Sequence, residues 1–357
     1  MKKIFLSMAA VGLLFTACND DSKEVSQEQQ IDMSDFYVYT DSGEDLSSKS
    51  INSKESLKTC YSMEVLNRQL NENPGLEKKM FDIEYKTRQF IAAKGGSTAK
   101  GKPGGGSGGG EADVDVSPIN DGLGTINIPV YVHIVLPNAN DVTNTQVQNQ
   151  INVLNDDFNS TNANLLPSGA TNFVNDATIT DIHFTLAGTF RYNNSASSWG
   201  TNDSVKAAYP PITPETHLNI WVCNIGGGIL GYAQFPGGNS ATDGVVLLHS
   251  SLPGGSAAPY NLGRTATHEV GHYLNLRHIW GDGRCRQDDF VEDTPSSDGP
   301  NYGCPSYPTV NCSSTDMTMN YMDYTDDACM YMFTDGQRNR LRPIFATGGP
   351  RAAMAGN

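Results

Sequence analysis

The chain has 357 residues, with 24 Lys and Arg against 39 Asp and Glu, a formal charge of −15. A chain this acidic repels phosphate backbones and anionic bilayers, so nucleic acid is not an expected partner and neutral or cationic partners are favoured. Hydrophobic residues make up 38% and charged residues 18%, unlike a wholly disordered chain, so a packed core is expected and the length suggests two domains.

Lys2 and Lys3 precede an apolar run from Ile4 to Phe15 that is shorter than the roughly 20 residues needed to span a bilayer, so residues 1–17 read as a secretory signal. Phe15-Thr16-Ala17-Cys18 resembles a bacterial lipobox, which implies a lipid-modified Cys18 and a lipoprotein held at the outer membrane or cell surface, or later released. Residues 18–56 are polar and acid-rich, as in a flexible tether. Over 57–94 apolar residues recur at helical spacing (Leu66, Leu70, then Leu76, Met80, Ile83), and Asn73-Pro74-Gly75 divides them into a helical pair. Residues 95–118 begin with nine Gly in 95–110, a linker composition. In 119–357, Ile126 to Leu136 alternates as a strand and Val142 to Phe158 is an amphipathic helix. Ala177 to Phe190, His217 to Cys223 and Gly244 to His249 read as further strands, so this part is an α/β or α+β domain.

Residues 268–278 read His268-Glu269-Val270-Gly271-His272-Tyr273-Leu274-Asn275-Leu276-Arg277-His278. On a helix His268 and His272 share a face and reach one metal ion, while Glu269, about 100° round the axis, is placed to hold a water on that metal. Ala266, Val270 and Leu274 form the apolar face, and Asn261 is a plausible cap for the helix start. With 7 His and 12 Glu in the chain, chance supplies about 0.005 such His-Glu-x-x-His patterns, so the motif is read as a metal site. His133, His183, His217 and His249 stand singly on strand-like stretches and are read as structural. A third ligand requires a sharp reversal after Leu274, and Asn275, the best non-Gly residue for a left-handed conformation, sits where it is needed.

The same residues through His278, with Asn320-Tyr321-Met322-Asp323-Tyr324 downstream, resemble the metzincin clan of zinc peptidases, Asn275 standing where that signature has Gly. Within the clan the chain resembles bacterial secreted members of the pappalysin family from about Ile126 to Phe345. The match runs through Leu218-Asn219-Ile220-Trp221-Val222-Cys223-Asn224, Leu230 to Pro236, Asp289-Phe290-Val291-Glu292-Asp293-Thr294-Pro295 and Phe333-Thr334-x-Gly336-Gln337. The resemblance implies an α+β fold, with a twisted mixed sheet and the zinc helix above a cleft and an irregular, cystine-held part below.

Three neutral imidazoles, His268, His272 and His278, would leave one zinc position for a water whose pKa falls towards about 7. Glu269 would take its proton and return it to the leaving amine, and Tyr324, placed as in related enzymes, would donate a hydrogen bond to the oxyanion. Met322 would be the hydrophobic floor under the metal.

Of the seven Cys, Cys285, Cys304, Cys312 and Cys329 cluster after the zinc helix and read as two disulfides, for which spacing alone allows three pairings. The resemblance selects Cys285 with Cys312 and Cys304 with Cys329. Cys223 reads as a buried free thiol. Cys60, ahead of the linker, is by resemblance a pro-segment thiolate that closes the zinc site, making 57–94 a removable latency segment and 119–357 the catalytic domain. Asp288, Asp289, Val291, Asp293 and Thr294 form an oxygen-rich loop where related proteins hold calcium. Asp327, with Asp326 as the neighbouring alternative, matches the floor of the pocket for the residue after the scissile bond and would favour Arg or Lys there.

The expectation is an exported zinc endopeptidase made as a latent zymogen, acting as a monomer on peptide or protein substrates and meeting membranes only through a lipid anchor. The rival from another class is a catalytically silent surface-binding or adhesin module with a structural zinc. Glu269 separates the two, because a binder has no need of a general base.

Overall fold

The computed structural model describes residues 31–40, 60–97, 116–161 and 171–356; the signal segment, Cys18 and linker residues 98–115 lie outside them. In chain order the elements are α1 (Ser62–Glu72), α2 (Leu76–Ala93), β1 (Ile126–Leu136), α3 (Asn144–Phe158), β2 (Ile182–Asn193), α4 (Ser204–Ala208), β3 (Leu218–Cys223), β4 (Gly231–Ala233), β5 (Val245–Leu248), α5 (Arg264–Tyr273), β6 (Val310–Asn311), β7 (Ser314–Thr315) and α6 (Asp335–Leu341).

Five strands form one sheet in the order β2-β1-β3-β5-β4, parallel except for β4, which runs antiparallel to β5. The central strand β3 is buried along its whole length, as expected of a parallel strand covered on both faces. Thr143 and Gln146 close a capping box at the start of α3, two residues later than the apolar pattern begins. Val147, Ile151, Leu154 and Phe158 of α3 share the main core with Ala266, Val270 and Leu274 beside the zinc motif, so that core fixes α5. β2 begins at Ile182 and not at Ala177, because Asp181 adopts φ 55 and breaks the extended run, while Ala177 bridges to Thr334.

Residues 31–357 form one compact unit that includes the helical pair. Met63, Leu66, Leu70, Leu76 and Met80 pack with Val38 and Phe235 in a shared core, each contributing about 1.5–3 kcal/mol through burial. From Gly281 to Phe333 the only strands are the short β6 and β7, and two disulfides staple this stretch. Cys285–Cys312 and Cys304–Cys329 have Cα separations of 5.5 and 5.7 Å. Cys60 and Cys223 are free and buried. Among the described residues no helix is long and apolar enough to cross a membrane.

Candidate active site

The zinc motif lies on α5 and in the turn that ends it. Leu276 N donates to Gly271 O at 2.9 Å and Asn275 N to His272 O at 3.0 Å, with Asn275 at φ 82. This pair of bonds closes a helix through a left-handed residue, and Asn275 performs the part usually given to Gly. Arg340 Nε, from α6, donates to Asn275 O at 3.2 Å and fixes the reversal from behind. Asn261 does not cap the helix as its position suggested: Gly263, at φ 93, is the cap residue, and the Asn261 amide donates to Gly255 O.

The reversal returns His278 to the other two histidines. Nε2 of His272 stands 3.2 Å from Nε2 of His268 and 3.1 Å from Nε2 of His278. Two nitrogens on one tetrahedral zinc at about 2.0–2.1 Å are roughly 3.3 Å apart, so this donor set fits the ion. The outer nitrogens are anchored: His268 Nδ1 on Tyr321 O at 2.8 Å, His272 Nδ1 on Leu276 O at 2.9 Å and His278 Nδ1 on the Asp282 carboxylate. Each Nδ1–H donating outward leaves the Nε2 lone pair facing inward. Burial, followed by the nearby His278, holds His272 well below its ordinary pKa range, the neutral form that a metal requires.

Cys60 Sγ completes the cluster: its donor atom and those of the three histidines all lie within 4.8 Å of one another. Backbone contacts bring it there. Cys60 forms a parallel bridge with Gly231, and Tyr61 N donates to Gly231 O at 3.1 Å, so the segment adds itself to the edge strand β4. Burial, and then the Glu269 carboxylate, push the Cys60 thiol well above its ordinary range; a dication among the four donors acts in the opposite sense.

Glu269 is 1% exposed, and its Oε2 accepts from Ser62 Oγ at 2.7 Å and from Cys60 Sγ at 3.4 Å. Gly231 makes room for it, since a Cβ there would stand 2.9 Å from Glu269 Cγ and 3.0 Å from Val246 O. Tyr324 OH donates to Cys60 O at 3.3 Å. Burial, then Cys60, raise that phenol well above its ordinary range, so it stays a donor. Met322 is fully buried and its Sδ lies against Gly271, under the histidine helix.

Asp327 lies at the start of α5, where its Oδ2 accepts from Leu262 N at 2.8 Å and Arg264 N at 3.3 Å, a carboxylate at a helix N-terminus. In the oxygen-rich loop Asp289 accepts from Thr294 Oγ1 and Val291 N, Val291 O from Thr294 Oγ1, and Asp288 from Phe290 N. Asp293 turns away to Thr334 and Gly336. Burial outweighs those two bonds and raises Asp293 to about 7.

Residues 213–346 match the family described as Pregnancy-associated plasma protein-A, peptidase family M43. An extracellular metalloprotease of Pyricularia oryzae is 35% identical over 236 residues, covering 62% of this chain and 75% of the relative. Extracellular metalloprotease 1 of Coccidioides posadasii is 35% identical over 233 residues, covering 62% and 77%. The chain belongs to the pappalysin family. Among solved structures, mature mirolysin of Tannerella forsythia with a cleaved peptide has a TM-score of 0.62 at 43% identity, covering 65% of this pappalysin and 96% of that chain. A variant of promirolysin from the same organism has a TM-score of 0.67 at 36% identity, covering 84% and 97%. This pappalysin has the metzincin fold and is a zinc metalloendopeptidase.

The structure gathers His268, Glu269, His272, His278, Tyr324, Met322 and Cys60, and forms the disulfides the resemblance selected. Ser62, Gly231 and Asp282 also touch them, and no motif assigns any of these a role in the site. Only Asp282 carried a local signal, a carboxylate four residues after the third histidine with Gly on either side. Of the lone histidines, His133 is structural: its Nε2 pairs with Asn219 Oδ1 at 2.9 Å and its ring stacks on Trp221.

Proposed function

We propose that His268, His272 and His278 hold the catalytic zinc and that Glu269 is the general base of peptide-bond hydrolysis. The observation that carries this reading is the convergence of three Nε2 atoms with a buried carboxylate beside them. Zinc supplies Lewis acidity, which polarises the scissile carbonyl and lowers the pKa of water towards about 7. Glu269 takes the water's proton at Oε2 and returns it to the departing amine. The Tyr324 phenol donates to the oxygen on which charge develops. Met322 packs under the histidines, and Asn275 sets the reversal that brings in His278.

In the full chain the segment ahead of the linker holds the enzyme latent. Cys60 Sγ is the fourth donor, Ser62 occupies Glu269, and the Cys60 carbonyl takes the Tyr324 hydrogen bond. The backbone of Cys60 and Tyr61 covers the edge strand a peptide would use. A cut in the linker, near Lys100 to Gly110, breaks the chain between residues 57–94 and the catalytic domain 119–357. The greater coverage of this chain by promirolysin than by mature mirolysin supports that division.

The finer readings are proposals of the same standing. Asp327, at the start of α5, favours a basic residue after the scissile bond. Calcium on Asp288, Asp289, Val291, Asp293 and Thr294 would exchange the loop's own hydrogen bonds for metal–oxygen contacts. The protein is exported, with Cys18 as the lipid anchor; the extracellular relatives support export. Digesting a proteome-derived peptide library with the activated protein tests activity and specificity together. Chelator-sensitive cleavage ahead of Arg or Lys is expected; cleavage indifferent to chelator, or ahead of acidic residues, contradicts the reading.

A further inference from the structure

Behind the third histidine, two arginines of the catalytic part hold the N-terminal segment by chemistry separate from Cys60. Arg340 donates through Nη1 and Nη2 to Glu84 Oε1 and Oε2 at 3.0 and 2.6 Å, a two-pronged grip on one carboxylate. Arg277 donates through Nη2 to Tyr37 O at 2.7 Å, with its guanidinium 4.6 Å from the Tyr37 ring and 5.0 Å from the Phe290 ring. Phe290 also meets Tyr37 at 5.1 Å and Phe36 at 5.5 Å between ring centroids. Tyr37 OH stands 2.6 and 2.7 Å from Gly281 O and Asp288 O, between which it shares its one proton. Arg277, Phe290 and Arg340 are 3%, 5% and 4% exposed, and Arg277 Nη1 is buried without a hydrogen-bond partner among the described residues.

We propose that Arg277, Phe290 and Arg340 form a second peptide-binding site, for a segment that brings an aromatic side chain and a carboxylate together, and that the chain's own residues 31–40 and 60–97 still occupy it after the linker is cut. The proposal rests on the reading that residues 57–94 are a latency segment, and it adds residues 31–40, which the acid-rich composition assigns to a flexible tether but which pack here through Phe36, Tyr37 and Val38. Its physical basis is that a linker cut removes none of the contacts above, since the anchoring residues Phe36, Tyr37 and Glu84 all precede the linker. The partners they meet, Arg277, Gly281, Asp288, Phe290 and Arg340, all follow it. A cut alone therefore yields a nicked, still occupied complex. Release requires a second cut within 31–97 or a competitor of the same chemistry. The same site reaches the zinc loop, because Arg340 Nε holds Asn275 O and Arg277 directly precedes His278.

The test uses the full chain carrying Glu269→Ala, so that it does not digest itself, with a foreign peptidase recognition sequence placed between residues 98 and 115. After cutting, gel filtration reads whether the two pieces travel together. They are expected to co-elute, and in Glu84→Gln combined with Tyr37→Ala the N-terminal piece is expected to separate and rebind at least about 100-fold more weakly. Should that variant fail to fold, Arg340→Lys, which loses the two-pronged grip but keeps the charge, is read in the same way and is expected to weaken rebinding by about tenfold or more. Separation of the pieces in the parent chain, or retention in the variants as tight as in the parent, overturns the proposal. Neither readout uses catalysis, so a failure here leaves the active-site reading standing, and failure of that reading appears in hydrolysis assays alone.

Discussion

Ser62 Oγ lies 2.7 Å from Glu269 Oε2, so a side chain of the N-terminal segment holds the carboxylate that hydrolysis needs free. The same oxygen accepts from Ala233 N at 2.7 Å, tying it to the edge strand. On the proposed reading, latency has two contacts in three residues, the thiol at the metal cluster and the hydroxyl at the Glu269 carboxylate. Cys60→Ala should raise peptide hydrolysis by the uncut chain at least about tenfold, the effect of about 1.4 kcal/mol, and adding Ser62→Ala should raise it further. An uncut Cys60→Ala chain as silent as the parent would refute the thiol switch.

Gly231 is a position where a methyl group should impair chemistry. Its added Cβ would stand 2.9 Å from Glu269 Cγ and 3.0 Å from Val246 O, a side chain and a backbone atom of the sheet. The side chain is the softer neighbour, so Glu269 gives way. A displacement approaching 1 Å at a reacting group costs about 100-fold, and kcat/KM of activated Gly231→Ala should fall by about 10- to 100-fold with zinc content unchanged. Steady-state kinetics beside metal analysis checks this.

At Asn275 the left-handed φ of 82 makes the outcome depend on the Cβ. Asn275→Gly should alter stability by less than about 1 kcal/mol, whereas Asn275→Ala should cost about 1–2 kcal/mol and weaken zinc retention, since the reversal places His278. Thermal unfolding with and without chelator distinguishes the two.

The Glu84–Arg340 pair makes anchoring of the segment sensitive to strong acid. Burial alone would raise Glu84, but the guanidiniums of Arg340 and Arg88 outweigh it and hold the carboxyl at about 2. A pKa lowered in the folded state gives stability that is complete above the unfolded value of about 4.3 and is lost as pH falls from there through about 2. The amount is on the order of 3 kcal/mol. The Tm of the full chain should exceed that of Glu84→Gln most at pH 6–7, and the gap should close towards pH 3. A gap that widens with acid contradicts this sign.

What could be read from the sequence follows from how far each signal reaches along the chain. The spacing of His268, Glu269 and His272 is set by one helix, and Asn275 and His278 by the turn that ends it, so eleven consecutive residues carry the ligand set. β1 and β3 are apolar runs that need no distant information. β2 starts later than its sequence pattern because the positive φ of Asp181 leaves no compositional trace. Asn261 misleads for a similar reason, since the carboxylate that meets the first backbone N–H of α5 comes from Asp327, 63 residues from Arg264. Ser62 and Glu269 are 207 residues apart, and Glu84 and Arg340 are 256 apart; no local pattern records such pairs. The helical pair is legible as helices, but the meeting of Glu84 with Arg340, and of Tyr37, ahead of the pair, with Arg277 and Phe290, is not.

Glu269→Ala addresses the central claim most directly. The variant is made in the full chain, activated as the parent is, and assayed for hydrolysis of a peptide substrate and for bound zinc by atomic absorption. Loss of hydrolysis with zinc still bound is the predicted result, because in the proposed mechanism Glu269 moves the proton while His268, His272 and His278 hold the metal. Full activity in Glu269→Ala would contradict the account.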